Sequence, residues 1–174
     1  MGNKIQKIYI TGVAGTGKSS VIVELRKRSI EAFDIDNRDM CYWVDKNGNR
    51  AEYRTGIGKE WIAKHDYICD KEKLKKLIES AKDNLIFISG ISDNQNEYIE
   101  WFDNVFLLQC ESNQLLNRLK NRDTNDFAKE ESEQKFVLDM QNDFDEKALK
   151  NGAIPINSNS NVIRVTDKIL AYLK

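Results

Sequence analysis

Gly12-Val13-Ala14-Gly15-Thr16-Gly17-Lys18-Ser19 decides the fold. The stretch has the form G-x-x-x-x-G-K-S, the pattern of a phosphate-binding loop. It is preceded by the apolar, β-branched run Ile8-Tyr9-Ile10-Thr11. It is followed by Ser20 to Arg28, where Val21, Ile22 and Leu25 share one helical face. The motif therefore sits between a strand and a helix, where its mechanism needs it. Backbone N–H groups of such a loop wrap a phosphate chain, and the helix N-terminus adds partial positive charge. Gly12 and Gly17 let the backbone turn and approach closely. Val13, Ala14, Gly15 and Thr16 contribute backbone to the cradle, and Ser20 continues it into the helix. Lys18 is expected to reach the β- and γ-phosphates, and Ser19 to offer its hydroxyl to Mg²⁺.

The remaining composition narrows the class. A chain of 174 residues suits one domain with a sizeable core. Its 27 basic and 28 acidic residues nearly cancel, so net charge gives no nucleic-acid signal. Cys41, Cys69 and Cys110 lie far apart without metal-ligand spacing, which fits a reducing cytoplasm. A single histidine, His65, excludes any multi-histidine metal site. No apolar run approaches membrane-spanning length, and no signal-peptide core is visible at the N-terminus. The expectation is a cytoplasmic protein, monomer or weak homodimer, without nucleic-acid or membrane partners.

Outward from the loop, strands and helices alternate. The pattern predicts strands at 7–11, 32–36, 85–88, 105–109 and 153–156. It predicts helices to about Arg28, over 71–82, 97–102, from a Ser112 cap, from about Glu133 to Leu149 before Gly152, and over 162–173. Pro155 cannot donate to a ladder, which places the last strand at a sheet edge. Residues 37–70 have few periodic stretches and a turn at Asn47-Gly48-Asn49, and read as a substrate-covering insertion. Residues 123–133 are polar. The fold class is α/β, three layers, with a parallel sheet and right-handed crossovers. Ligands bind outside the carboxyl ends of such strands. There lie the Gly12 loop, Asp34, Asp36, Gly90 and the segment after Gln109.

Together these features resemble the small P-loop kinases of the shikimate kinase and nucleoside monophosphate kinase superfamily. The matching stretches are 12–19, Phe33-Asp34-Ile35-Asp36, Ile88-Ser89-Gly90, the Arg118 and Arg122 pair, and Asn125-Asp126-Phe127 in a lid over 123–133. The resemblance implies a P-loop NTPase fold, a single domain over 1–174, and a five-stranded sheet of order 2-3-1-4-5. It implies ATP and Mg²⁺ as cofactors. It makes Asp34 a partner of magnesium-bound water and Asp36 the acid that holds the acceptor hydroxyl. Alternation puts both acids on one strand face. It assigns Arg118 to ATP and Arg122 to the transferred phosphate, both on one helix face. Lys18, Asp36 and Arg122 are the catalytic candidates.

Two departures from the pattern stand out. The strand at 85–88 ends in Ser89 instead of an acid, so Asp34 or Asp93 must take the magnesium role. The lid holds Lys129 but no arginine. Arg38, Arg50 and Arg54 in the insertion offer charge to an acidic acceptor, Gly90 room for it, and Tyr42, Trp43 and Trp61 rings to cover it. His65 reads as structural. The expectation is an ATP-dependent kinase of a small-molecule hydroxyl. A nucleoside monophosphate kinase and a nucleotide-binding regulator or ATPase without an acceptor are the rivals.

Overall fold

The computed structural model describes residues 5–36, 39–123 and 125–174. Arg38 lies outside them. Five parallel strands form the central sheet: β1 (Gln6–Thr11), β2 (Glu31–Asp34), β6 (Leu85–Ser89), β7 (Asn104–Gln109) and β8 (Ile154–Asn157). Their spatial order is β2-β6-β1-β7-β8. Three short strands of the insertion fall between β2 and β6 in the chain. Counting only the strands of this sheet, the order reads 2-3-1-4-5. β8 pairs only with β7, so Pro155 does sit on an edge strand.

Alternation along β1 separates two core layers. Ile8 and Ile10 pack with Val21, Ile22 and Leu25 of α1 (Lys18–Lys27) and Val165 and Ile169 of α6 (Val162–Tyr172). Tyr9 points the other way, among Ile86, Ile88, and Leu74, Leu77 and Ile78 of α3 (Lys71–Glu79). A third cluster joins Val13 to Leu115 and Leu119 of α4 (Ser112–Asn121) and Val137 of α5 (Glu131–Lys150). Each wholly buried aliphatic side chain contributes about 2 kcal/mol. α5 ends before Gly152, whose φ is +85°.

The insertion is more ordered than its sequence predicts. β3 (Cys41–Val44), β4 (Arg50–Ala51) and β5 (Asp66–Cys69) make a second, antiparallel sheet of order β4-β3-β5, and α2 (Lys59–Ala63) precedes β5. β3 and β4 are joined by the expected turn. Asp45 Oδ1 accepts from the N–H groups of Asn47 and Asn49, and Gly48 takes φ +83°. Tyr42, Trp43, Tyr67 and Ile68 alternate across strands too short for a single-sequence pattern to register.

Other elements differ in detail. The segment expected as a helix over 97–102 is two 3-10 turns, Gln95–Glu97 and Ile99–Trp101. Ser112 is the first residue of α4 and caps nothing; Glu111 precedes it, without a side-chain cap. β2 stops at Asp34, because Asp34 Oδ1 accepts the N–H of Asp36 and turns the chain. Asp34 and Asp36 therefore do not share a strand face as expected. Arg122 lies one residue beyond α4, where ψ 139° ends the helix, and its N–H still donates to the Arg118 carbonyl.

Gly90 follows β6 and serves packing. A Cβ there would stand 2.4 Å from Ile35 Cγ1 and 2.7 Å from its Cδ1. Ile35 is wholly buried. Gly90→Ala should lower stability by about 1–3 kcal/mol through overpacking. Thermal unfolding checks this; an unchanged midpoint would show that Ile35 yields freely.

Candidate active site

One cleft of about 1150 Å³ opens at the carboxyl ends of β1 and β2. That is enough for a nucleotide and a second small molecule together. Its floor is the loop before α1. Gly12 takes φ +145°, and a Cβ there would stand 2.7 Å from the Leu108 carbonyl. Gly17 precedes the helix with φ +101°. Both positions demand glycine. Ala14 to Ser20 line the cleft. Gly12 and Val13 lie beneath it, with the Val13 side chain wholly buried. Thr16 Oγ1 donates to the Val13 carbonyl and braces the turn.

Lys18 is buried, and its Nζ donates to the carbonyls of Gly12 at 2.5 Å and Val13 at 3.1 Å. Burial pulls its pKa down; the charges of Asp36 and Asp34 work against that fall. The ammonium is thus stored on the loop, beside the place where phosphates would lie.

Ser19 Oγ donates to Asp34 Oδ2 at 2.5 Å. In the register of β2 and β6, Asp34 stands next to Ser89. Ser89 is wholly buried, and its Oγ lacks a hydrogen-bond partner. No cluster of three His, Cys, Asp or Glu side chains suited to a metal occurs among the described residues. A magnesium ion does not require one, because it keeps several waters and takes phosphate oxygens. The Ser19 hydroxyl and Asp34 carboxylate fit that donor set. Asp93 does not serve there: its Oδ2 accepts the Tyr67 N–H at 2.6 Å and its N–H donates to the Tyr67 carbonyl. That pairing pulls it toward β5.

Asp36 follows the turn after β2 and lines the cleft. Burial raises its pKa to about 6, Lys18 opposing and Asp34 adding to the rise. Tyr67 Oη donates to its Oδ1 at 3.3 Å.

The arginines divide. Arg118 donates to the carbonyls of Thr16 at 3.2 Å and Ser158 at 2.7 Å, clamping the phosphate loop to the segment after β8. Arg122 lines the cleft and donates one amino group to the Phe127 carbonyl, while its buried Nε has no partner. Burial lowers its pKa, against the pull of Tyr53 and Asp36. Lys129 Nζ donates to the Arg122 carbonyl. Arg54 is exposed and outside the cleft lining, and Arg50 stacks 3.8 Å from the Tyr42 ring centroid. Gly90 also lies outside the lining.

Three groups escaped sequence reasoning. Residues 158–162 after β8 line the cleft, with the Asn159 carbonyl held by Gln114. A run of Ser and Asn reads as an ordinary loop until the sheet places it beside the phosphate loop. Glu133, wholly buried, accepts from Tyr53 Oη at 2.9 Å and the Gly58 N–H at 3.3 Å. It ties the insertion to the first turn of α5, though nothing marks it among its acidic neighbours. Tyr53 and Tyr67 were not distinguished from other aromatics. His65 is structural in part: its Nδ1 lies 2.7 Å from the Trp61 carbonyl and its ring stacks on Trp61.

Asp36 yields a prediction about stability. Its folded pKa lies above that of a free carboxyl, so the folded state holds the proton longer. Stability should therefore fall as pH rises from about 4 through about 6. Asp36→Asn removes this cost and should unfold later than the parent at pH 8, by on the order of 1–3 kcal/mol. The gap should close near pH 4. Thermal melts across this range check the sign; a variant less stable at pH 8 would contradict it.

Comparison with known proteins agrees with this fold. The profile of the AAA_18 family, described as an AAA domain, matches residues 8–139. TT1252 from Thermus thermophilus shares the fold with a TM-score of 0.63 at 16% identity, covering 98% of this chain and 96% of that one. A shikimate kinase from Acinetobacter baumannii, solved in complex with shikimate, gives 0.58 at 17% identity, covering 98% and 94%. A deoxyadenosine kinase from M. mycoides with bound dATP gives 0.55 at 14% identity, covering 97% and 99%. No curated protein matches the chain by sequence.

Proposed function

Because the chain belongs to the AAA_18 family of AAA domains, and its fold is that of small P-loop kinases, we propose that it is an ATP-dependent kinase acting on a hydroxyl of a small molecule. The observation that carries the reading is the meeting of Lys18, the Ser19–Asp34 pair and Asp36 around one cleft above the phosphate loop. Phosphoryl transfer asks the protein for positioning and charge neutralisation more than covalent chemistry.

In this reading the N–H groups of Ala14 to Ser19 cradle the phosphates. Lys18 leaves the Gly12 and Val13 carbonyls for the β- and γ-phosphate oxygens. Ser19 and, through water, Asp34 would hold Mg²⁺, which neutralises charge on the phosphates. Asp36, ionised above about pH 6, accepts the hydrogen of the acceptor hydroxyl and aims its oxygen. A bond forms from that oxygen to the γ-phosphorus, the bond from phosphorus to the β,γ-bridging oxygen breaks, and ADP leaves. Arg122, with an unused buried Nε, supplies positive charge to the phosphoryl group in transit. The lid brings no arginine of its own, so Arg122 carries that task.

A second reading, an ATP-binding regulator or bare ATPase, is favoured by one observation: β6 ends in a buried serine where an acid would help hold the metal. Measuring ADP and phosphorylated product in the same reaction separates the two. Hydrolysis without any phosphorylated product across a broad panel of alcohols would support the second.

Lys18→Ala should cut turnover by about a hundredfold or more, since it removes the charge facing the phosphates. Asp36→Asn should lower kcat by about 10²–10⁴-fold while leaving ATP affinity near that of the parent. Titration calorimetry and steady-state rates check both. Parent-like turnover in Lys18→Ala would sink the assignment. Loss of ATP affinity in Asp36→Asn would move that residue from the acceptor to the metal.

A further inference from the structure

Resting on the kinase reading, we infer that the acceptor is an uncharged, planar, ring-bearing alcohol of the nucleoside type, held against an aromatic wall opposite the phosphate loop. Trp43, Tyr53, His65, Tyr67 and Phe127 line the cleft on that side. Trp43 is the hub: its ring centroid lies 5.1 Å from Tyr67, 5.3 Å from Trp61, and 6.2 Å from both Tyr53 and Phe127. These rings come from four places, the insertion sheet, the loop after β4, α2 and the lid. All of them are half-buried. Elsewhere the large aromatics of the sheet core, Tyr9, Phe87, Tyr98 and Phe106, are wholly buried. An aromatic cluster that served only as a small core would close on itself. This one keeps ring surface turned to a cavity, which suits a flat partner.

Charge points the same way. The cations lining the cleft among the described residues are Lys18, Arg118 and Arg122. Arg118 is spent on the carbonyls of Thr16 and Ser158, and Lys18 belongs to the phosphates. Arg122 sits at the seam between loop and wall. The wall itself carries Asp36, Asp66 and Asp93. Lys46 pairs with Asp66, but at the exposed rim. A carboxylate or phosphate on the acceptor would face acids there, and Arg54, expected to grip it, is outside the lining. The carboxylates instead accept hydrogen bonds, as ring N–H groups and hydroxyls require.

Tyr67 joins the two halves. Its ring packs on Trp43, and its hydroxyl donates to Asp36. A ring seated on Trp43 and Tyr67 therefore has its substituents beside the acid that receives the hydroxyl. Aromatic wall and reacting group are fixed to each other through one side chain.

The test has a catalytic and a binding arm, on the full chain with ATP and Mg²⁺. ADP release is measured with adenosine, guanosine, cytidine and thymidine, with their 5′-monophosphates, and with shikimate and gluconate. Binding is followed by quenching of intrinsic tryptophan fluorescence. A nucleoside should turn over at least tenfold above the ATP-only rate and quench the emission. Trp43→Ala should raise the KM for that nucleoside about tenfold, the loss expected of one base–aromatic stack. Trp43→Phe, which keeps a ring and guards against misfolding, should restore it. Turnover confined to hydroxy acids would overturn the inference and leave the hydroxyl-kinase reading standing, whereas turnover confined to monophosphates would overturn both in favour of a nucleoside monophosphate kinase. Nucleoside binding without phosphorylation of any acceptor would support the pocket and overturn the kinase reading. Neither binding nor turnover of nucleosides, with other acceptors also inert, would overturn both.

Discussion

The site depends on a buried positive charge. Lys18 is enclosed by the backbone of its own loop, where two carbonyls hold its ammonium. A cation in that position is tolerable only with acceptors close by and negative charge within range. Asp34 and Asp36 supply the charge from the end of the neighbouring strand layer. Their placement follows from the sheet: β6 lies between β1 and β2, and spans the gap that sets the acids across from the loop. In the kinase reading, phosphates would replace the two carbonyls as partners of Lys18.

The same economy governs Asp36. Its carboxyl is desolvated enough to hold its proton to about pH 6, yet Lys18 keeps it from rising further. In the proposed reaction, a base there would be ionised at neutral pH while remaining able to take a proton. The cost of ionising this buried carboxyl falls on stability. The surrounding structure offsets it through cores that are closely packed on both faces of the sheet.

The insertion has its own sheet and is tied to the rest by polar contacts: Asp93 and Asn94 pair with the backbone of Tyr67 and Cys69. Glu133 reaches back from α5 to Tyr53 and Gly58, and Tyr67 reaches down to Asp36. Through these bonds the aromatic wall is tied both to α5 and to the turn after β2. Movement of α5 would therefore be felt at the wall. Arg122 is held on the same side by the Phe127 carbonyl, so the phosphate end and the wall share an edge.

By itself the sequence determined the phosphate loop, its flanking strand and helix, the α/β alternation and the edge position of Pro155. These rest on local information: spacing of glycines, periodicity of apolar residues, and a missing N–H. The acids at Asp34 and Asp36 were legible as candidates for the same reason. Tertiary structure alone decided what each polar residue does. Arg118 binds carbonyls because β8 delivers Ser158 beside the loop, and Arg54, three residues beyond β4, is exposed and outside the cleft lining. Gly90 is fixed by Ile35, a neighbour across the sheet and not along the chain. The wall around Trp43 gathers rings from residues 43 to 127, and no local pattern records such a gathering. Short strands such as β3 to β5 carry too few residues for a period to show, and their pairing is settled by long-range contacts that a linear reading does not contain.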